Sequence, residues 1–401
     1  MTQSNDLTQR HRFPVARMSL ILVLLLLASS PSYAETPTKP AHPARLASVP
    51  TEIRIESTPW WPTTGSSDRE QYVGTAACAK CHANKAASQV ATSMARAATR
   101  AADSEQLRSH PDLSVRLGPY QYQLVTKEGK AIFSISDGTE STTKNLEWAL
   151  GDGSFGQTYV YREQGKYYES QLSFYTRLNA LDTTTGHMEP KNLETAAGGL
   201  APPDSIRQCF ACHFTASTTN NRFDPDRSIM GVTCEACHGP GAQHAQLMTV
   251  DPRDTGGLIM DLSKLPPADS VDFCGACHRT SADAVLTGIS KMGVIDVRLQ
   301  PYRLQKSKCW GKGDARLTCV ACHDPHVQVV RNVAFYDTKC LQCHLRTKDA
   351  QAVAAHGAAS CKVSSKDCAS CHMPKIEVPG THTTFTDHWI RISPPGAAYP
   401  N

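Results

Sequence analysis

A chain of 401 residues with 41 Lys and Arg against 37 Asp and Glu carries a formal charge of only +4. No basic run or stripe stands out, which excludes nucleic acid as an expected partner. Sixteen cysteines would suggest disulfides in an exported chain, but their spacing points elsewhere.

Arg10, Arg12 and Arg17 precede an apolar run from Met18 to Ser29, and Ser32-Tyr33-Ala34 supplies a small-residue cleavage site before Glu35. This is the pattern of an export signal, with an uncleaved anchor as the alternative. The run is about a dozen residues, short of the roughly 20 that a spanning helix needs. Cleavage removes three arginines and one aspartate and lowers the formal charge from +4 to +2. No other stretch is apolar enough to cross a membrane, so the mature protein is expected to lack an integral membrane domain. Its expected location is the periplasm, with an extracellular one as the alternative. Residues 35–70 read as a Pro-rich linker with no core of its own (Pro37, Pro40, Pro43, Pro50, Pro59, Pro62).

Residues 71–208 read as a segment with one cysteine motif near its start and a β-rich insert. An Ala-rich helix is expected over Asn84 to Ala102. Two hairpins follow. Tyr120–Val125 and Ala131–Ile135 flank Glu128-Gly129-Lys130, and Thr158–Tyr161 and Tyr167–Tyr175 flank Gln164-Gly165-Lys166. Between them, Gly151-Asp-Gly-Ser-Phe-Gly156 matches a dinucleotide fingerprint. A strand-like sequence follows it rather than a helix, so it reads as a turn. Residues 209–401 then hold six motifs about 20 to 45 residues apart, too unevenly spaced for a solenoid repeat. The expected fold is mainly α, with much irregular structure wrapped around a cofactor array. The insert between the first and second motifs is expected to be a small antiparallel β element.

The motif is C-x-x-C-H, and it occurs seven times. Numbered in chain order, motifs 1 to 7 are Cys78-Cys81-His82, Cys209-Cys212-His213, Cys234-Cys237-His238, Cys274-Cys277-His278, Cys319-Cys322-His323, Cys340-Cys343-His344 and Cys368-Cys371-His372. Each is the signature of a covalently attached c-type haem. Two thiols three positions apart on a helical turn add to the two haem vinyl groups, and the following histidine points an imidazole nitrogen at the iron. Zinc also binds CxxC pairs, but it does not require histidine directly after every second cysteine. Seven covalently bound haems are therefore expected, and their propionates would make the loaded protein acidic. No motif ends in a residue other than histidine, which favours electron transfer over a dedicated reaction centre.

Eight further histidines lie in the mature chain: His42 in the linker, and His110, His187, His244, His326, His356, His382 and His388. Seven irons and seven histidines beyond the linker permit bis-histidine ligation throughout. His326 lies three residues past His323, too close to reach the opposite face of the same haem, so it is expected to ligate a neighbour. His244, six residues past His238 across Gly239 and Gly241, follows the same logic. His382, His388, His187 and His356 are further candidate ligands, with His110 a weaker one and Met94 the thioether alternative. Cys309 and Cys361 fit no motif and read either as a disulfide or as two unrelated thiols.

Tyr72-Val-Gly-Thr-Ala-Ala-Cys-Ala-Lys-Cys-His82 resembles the first haem segment of the cytochrome c-552/4 family. Gly231–His244, Leu317–His326 and Cys371-His-Met-Pro-Lys375 are similar to segments of the wider multihaem cytochromes, among them nitrite reductases and hydroxylamine-oxidising enzymes. The resemblance spans about residues 71–390 and implies that His244 and His326 serve as distal ligands. The chain departs from the nitrite-reductase pattern, which places lysine where this sequence has histidine, and no counterpart of the hydroxylamine enzymes' cross-linked tyrosine can be placed. Redox work is implied without a substrate. The expected function is electron transfer between periplasmic or membrane redox proteins. The alternative is a multihaem reductase or oxidase of a small nitrogen or sulfur species with one five-coordinate haem, at His82 or His213.

Overall fold

The computed structural model describes residues 67–253, 258–286, 293–311, 317–344 and 363–394, together with 288, 361, 396, 397 and 399. The expected signal and most of the expected linker, with His42 and His356, lie outside the described residues.

The expectation of a mainly α fold is overturned by a nine-stranded antiparallel sheet. Its main path runs β2 (Asp112–Leu117), β3 (Tyr120–Lys127), β4 (Lys130–Ser136), β5 (Ser141–Leu150), β6 (Gly156–Glu163), β7 (Lys166–Tyr175) and β8 (Ala180–Thr183), each strand paired with the next. β1 (Ala98–Arg100) pairs with β5, and β9 (Gly198–Leu200) pairs with β7. The path curls until β8 approaches β2, giving a nearly closed barrel.

Both expected hairpins are present, joined by two-residue turns. Glu128 and Gly129 have φ of 52° and 71°, and Gln164 and Gly165 have 50° and 73°. Positive φ at both central residues is the turn geometry whose twist matches paired strands. Alternation sets the core: Tyr122 and Leu124 on β3 meet Phe133 and Ile135 on β4, all buried. What unites the hairpins is β5, whose first half, Ser-Thr-Thr-Lys-Asn, carries no apolar signal and whose register shifts between Leu146 and Trp148. The Gly151–Gly156 stretch is the turn leading from β5 into β6, with Gly151 and Gly153 at φ of 104° and 78°.

The expected helix from Asn84 to Ala102 is shorter than its composition implied. It spans Ala83–Val90 and gives way to turns. The Thr92 hydroxyl donates to the Gln89 carbonyl at 2.7 Å and accepts from the Ala95 amide at 3.0 Å. Beyond that turn, Ala98–Arg100 joins the sheet as β1. Pairing with β5 outweighs the helix propensity of the alanines.

The helices that carry the seven motifs are labelled here by motif: α1 (Thr75–Ala79), α2 (Pro203–His213), α3 (Cys234–His238), α4 (Pro267–His278), α5 (Cys319–Cys322), α6 (Val333–Leu341) and α7 (Cys368–His372). Only α2 packs onto the sheet through a sizeable apolar cluster. Ile206 and Phe210 meet Trp148 and Val160, with Phe214 beyond them. Phe210 lies inside motif 2, edge-on to Trp148 at 5.2 Å and stacked on Phe214 at 4.4 Å. Phe210→Ala is expected to cost about 3–5 kcal/mol through the cavity it leaves. Chemical denaturation checks the loss, and a cost below about 1 kcal/mol would show that α2 is not anchored there.

The rest of the chain is sparsely packed. Among the described residues beyond Ala216, the buried apolar side chains are Ala236, Met260, Val271, Ala284, Val297, Leu299, Leu304 and Val378. Most are small or isolated, a thin core for some 180 residues carrying five motifs.

Candidate metal centres

Each motif helix begins where backbone N–H groups lack intrahelical partners, and two carboxylates meet that need from neighbouring motifs. Glu235 lies inside motif 3 and is completely buried. It accepts hydrogen bonds from the amides of Val73 at 2.9 Å, Gly74 at 2.8 Å and Gly241 at 2.8 Å. Gly74 caps α1, and Gly241 caps the helix Ala242–Val250 that carries His244. One side chain therefore ties motif 1, motif 3 and His244 together. Gly74 has φ of 79°, a conformation few other residues adopt.

Asp337, buried on α6, does the same for α7, accepting from the amides of Asp367 and Cys368 at 2.8 Å each. The Cys368 amide, ahead of the opposing effect of burial, holds its carboxyl below the usual aspartate range.

Three of the motif histidines are oriented by an Nδ1 bond to a backbone carbonyl. His213 donates to the Ala97 carbonyl at 2.8 Å, His238 to Met260 at 2.8 Å and His372 to Arg391 at 2.9 Å. His388 makes the same bond to Thr386 at 3.0 Å. A carbonyl only accepts, so Nδ1 carries the hydrogen and Nε2 keeps its lone pair for a metal. Burial, the leading cause in each case, pushes His213, His278 and His323 below the usual histidine range and His388 down to about 4. All four are neutral imidazoles at physiological pH, the protonation state that binds iron.

Three motif histidines face a histidine from elsewhere in the chain. His82 and His244 have ring centres 6.5 Å apart and planes 20° from parallel. His238 and His326 stand at 6.0 Å and 17°, and His323 and His388 at 6.3 Å and 39°. Two imidazoles bound on opposite sides of one metal, each through a bond of about 2 Å, place their ring centres about 6 Å apart. The donor chemistry and the spacing both fit an iron between each pair. The supply is interlaced: His244 follows motif 3 but faces motif 1, His326 follows motif 5 but faces motif 3, and His388 follows motif 7 but faces motif 5.

The sheet engages the other candidates. His187 sits between Gln171 Oε1 and Glu169 Oε2, each at 3.0 Å from a ring nitrogen. His382 Nε2 meets Asp182 at 2.9 Å, with its ring edge-on to Tyr175. His110 bonds the Gln106 carbonyl through Nδ1 at 2.9 Å and packs on Phe174. Met94, half-buried in the turn before β1, accepts the Val232 amide at 2.9 Å through its carbonyl. Cys309 lies on the short helix Lys308–Gly311, and Cys361 is exposed.

Arg303 is the other structural residue that reading the motifs missed. It is fully buried and forks onto Asp387 at 2.9 and 2.7 Å, with Asp296 at 3.3 Å. The guanidinium lies between the Trp389 and Tyr399 rings at 5.0 and 4.8 Å. Arg391 adds a second cation on Asp387 at 2.6 Å. Burial, the largest single influence, would raise the Asp387 carboxyl, but the Arg303 fork, the Trp389 amide and Arg391 together outweigh it and the net shift is downward. The cluster thus fixes the backbone immediately before His388. The available signal in sequence was Asp387 beside a candidate ligand, which did not indicate a partner 84 residues away.

Residues 168–239 match the family model described as Cytochrome c554 and c-prime. The matched stretch runs from β7 through motifs 2 and 3. The match supports a c-type cytochrome, and with it covalently held haem. No curated protein and no solved structure matches the chain. No helix among the described residues is long and apolar enough to cross a membrane.

Proposed function

We propose that the protein is a periplasmic heptahaem cytochrome that passes electrons between redox partner proteins in the periplasm or at the membrane. The observation that carries this reading is the set of three imidazole pairs at 6.0 to 6.5 Å. An iron held by two histidines has no position left for a substrate, so the chemistry it supplies is one-electron exchange between ferric and ferrous states. The fourteen motif cysteines would hold the seven haems, with the motif histidines as proximal ligands. His244, His326 and His388 serve as distal ligands to motifs 1, 3 and 5. The thin apolar packing beyond the sheet supports the same reading, because bound porphyrins would fill that part of the core.

The test is mass and spectrum together. Seven bound haems and low-spin ferric signals are expected of the purified protein. Fewer haems by mass, or zinc in their place, would overturn the reading. His326→Ala is expected to convert one haem, that of motif 3, to a high-spin ferric form while six keep their signals. An unchanged paramagnetic resonance spectrum would remove His326 from the ligand set.

A second reading, a reductase or oxidase of a small nitrogen or sulfur species, has one observation in its favour. A cavity of about 210 Å³ beside motif 2 is lined by Glu169, His187, Ile206 and Cys209. In this reading the His213 haem is five-coordinate. A high-spin signal in the unmodified protein that shifts with nitrite, hydroxylamine or cyanide would favour it.

A further inference from the structure

The Gly151–Gly156 turn lies outside every motif and is pinned from several sides. The Gly151 amide donates to the Ala97 carbonyl at 2.7 Å, and the Ser154 hydroxyl donates to the Asp152 carboxylate at 2.6 Å. Thr176, just past β7, donates its hydroxyl to the Gly153 carbonyl at 2.5 Å and its amide to the Phe155 carbonyl at 3.1 Å. The residue held in this way is Phe155, whose side chain is 48% exposed. It belongs to a row that alternates cation and ring. Arg331 lies over the Phe155 ring at 5.2 Å, Phe155 meets Phe385 at 6.3 Å, and Arg298 lies over Phe385 at 5.5 Å. The turn thereby meets the segment after motif 5, the short helix Gly293–Arg298, and the hairpin of Lys375–Val378 with Thr383–Thr386 that leads into His388. Both arginines are exposed, and among the described residues neither has a carboxylate within ion-pair distance. The carboxylates on the same elements are engaged or turned away. Asp152 is largely buried beside Arg96, and Asp296 is buried on Arg303. Glu377 pairs with Thr384 while Phe385 pairs with Ile376, so alternation puts Glu377 on the other face of the hairpin. A guanidinium stacked on a ring keeps its N–H edge for a carboxylate.

We propose that the row Arg331, Phe155, Phe385 and Arg298 is the docking surface for an acidic one-electron redox protein, which exchanges electrons at motif 5. The inference rests on the reading of motif 5 as a haem site and adds to it where a partner lands and what charge it carries. Arginine and aromatic side chains are the usual anchors of protein interfaces, and a rigid presentation lowers the entropy lost on binding. Position favours the same use. Phe385 precedes His388 by three residues, at most about 11 Å of extended chain, and His388 faces His323 at 6.3 Å. Val329 and Val333, 55% and 47% exposed, flank Arg331 and extend the apolar part of the face. A second copy of the chain is a poor occupant, because a twofold contact here would bring arginine against arginine. An anionic lipid surface calls for clusters of about four or more basic residues, and this row has two.

The probe is a reduced plant-type ferredoxin, a small acidic protein that donates one electron at low potential. Mixed with the ferric holoprotein in a stopped-flow spectrometer, it is expected to reduce the haems fastest at low ionic strength. Arg298→Glu combined with Arg331→Glu is expected to lower the second-order rate constant about tenfold at low salt and to flatten its salt dependence. Phe155→Ala leaves the charge alone and is expected to slow the reaction at every salt concentration, a measurement independent of the double variant. Reduction by dithionite, which needs no docking, is expected to be unchanged in both. Arg116→Glu controls for net charge: Arg116 is exposed beside the β2–β3 turn, at the opposite end of the up-and-down sheet from the Gly151–Gly156 turn. An undiminished rate in the double variant, or an equal loss in Arg116→Glu, would overturn the proposal. So would binding of the parent protein to phosphatidylserine vesicles that the double variant loses while its ferredoxin rate holds, which would assign the face to a membrane. A motif 5 peptide found without haem by mass in the unmodified protein would instead defeat the functional reading on which the docking surface depends.

Discussion

Arg303→Met is expected to destabilise the protein by about 3–5 kcal/mol, because it leaves buried carboxylates without their cation. Asp387 and Asp296 are both almost wholly inaccessible. Arg391 sits on Asp387, and Lys306 approaches Asp296 only at 4.0 Å. Arg303→Lys separates charge from shape: it restores the charge but not the two-pronged fork or the flat surface between Trp389 and Tyr399. An intermediate loss is therefore expected. The distinctive readout is spectral. Asp387 accepts the Trp389 amide at 3.0 Å and adjoins His388, so loosening the cluster should broaden or shift the motif 5 haem signal before the protein unfolds. A variant with wild-type stability and an unaltered spectrum would show that the cluster is not structural.

Glu235→Ala is expected to act on a different haem with comparable force. It leaves three backbone amides without the buried carboxylate that accepts from them. Each such loss costs about 1–3 kcal/mol, so about 4 kcal/mol is a reasonable total after relaxation. The damage should centre on motif 1, because Gly74 caps α1 and Gly241 opens the helix that delivers His244. A high-spin component from the motif 1 haem is the expected signature. Glu235→Gln keeps one oxygen and should fall between the two. Equal stability of Glu235→Ala and the parent in denaturant titration would refute the bridging role.

Haem attachment was legible in the sequence because its chemistry is local: two thiols and an imidazole within five residues need no tertiary context. The hairpin turns at Glu128-Gly129 and Gln164-Gly165 were legible for the same reason. The sheet as a whole was not. β2 has clean alternation of Leu113, Val115 and Leu117, but β5 has none in its first half, and without β5 the hairpins read as separate pieces of a small insert. The pairing of imidazoles was half legible. His244 and His326 lie so near a proximal histidine that they must reach outward, whereas His388 is placed by Arg303, a contact no short-range pattern encodes. Glu235 stood in plain view within C-E-A-C-H, but a carboxylate at a variable position of a motif looks solvated until its three amide donors are seen.

The interlaced supply of imidazoles has a consequence for biogenesis. On the proposed ligation, motif 1 is not complete until residue 244 is available, motif 3 until residue 326, and motif 5 until residue 388. In a protein threaded from its amino end, each early site therefore waits half-built for a segment synthesised later. Shortening the chain by its last 20 residues would leave all fourteen attachment cysteines in place yet leave motif 5 incomplete, a maturation defect far upstream of the deletion.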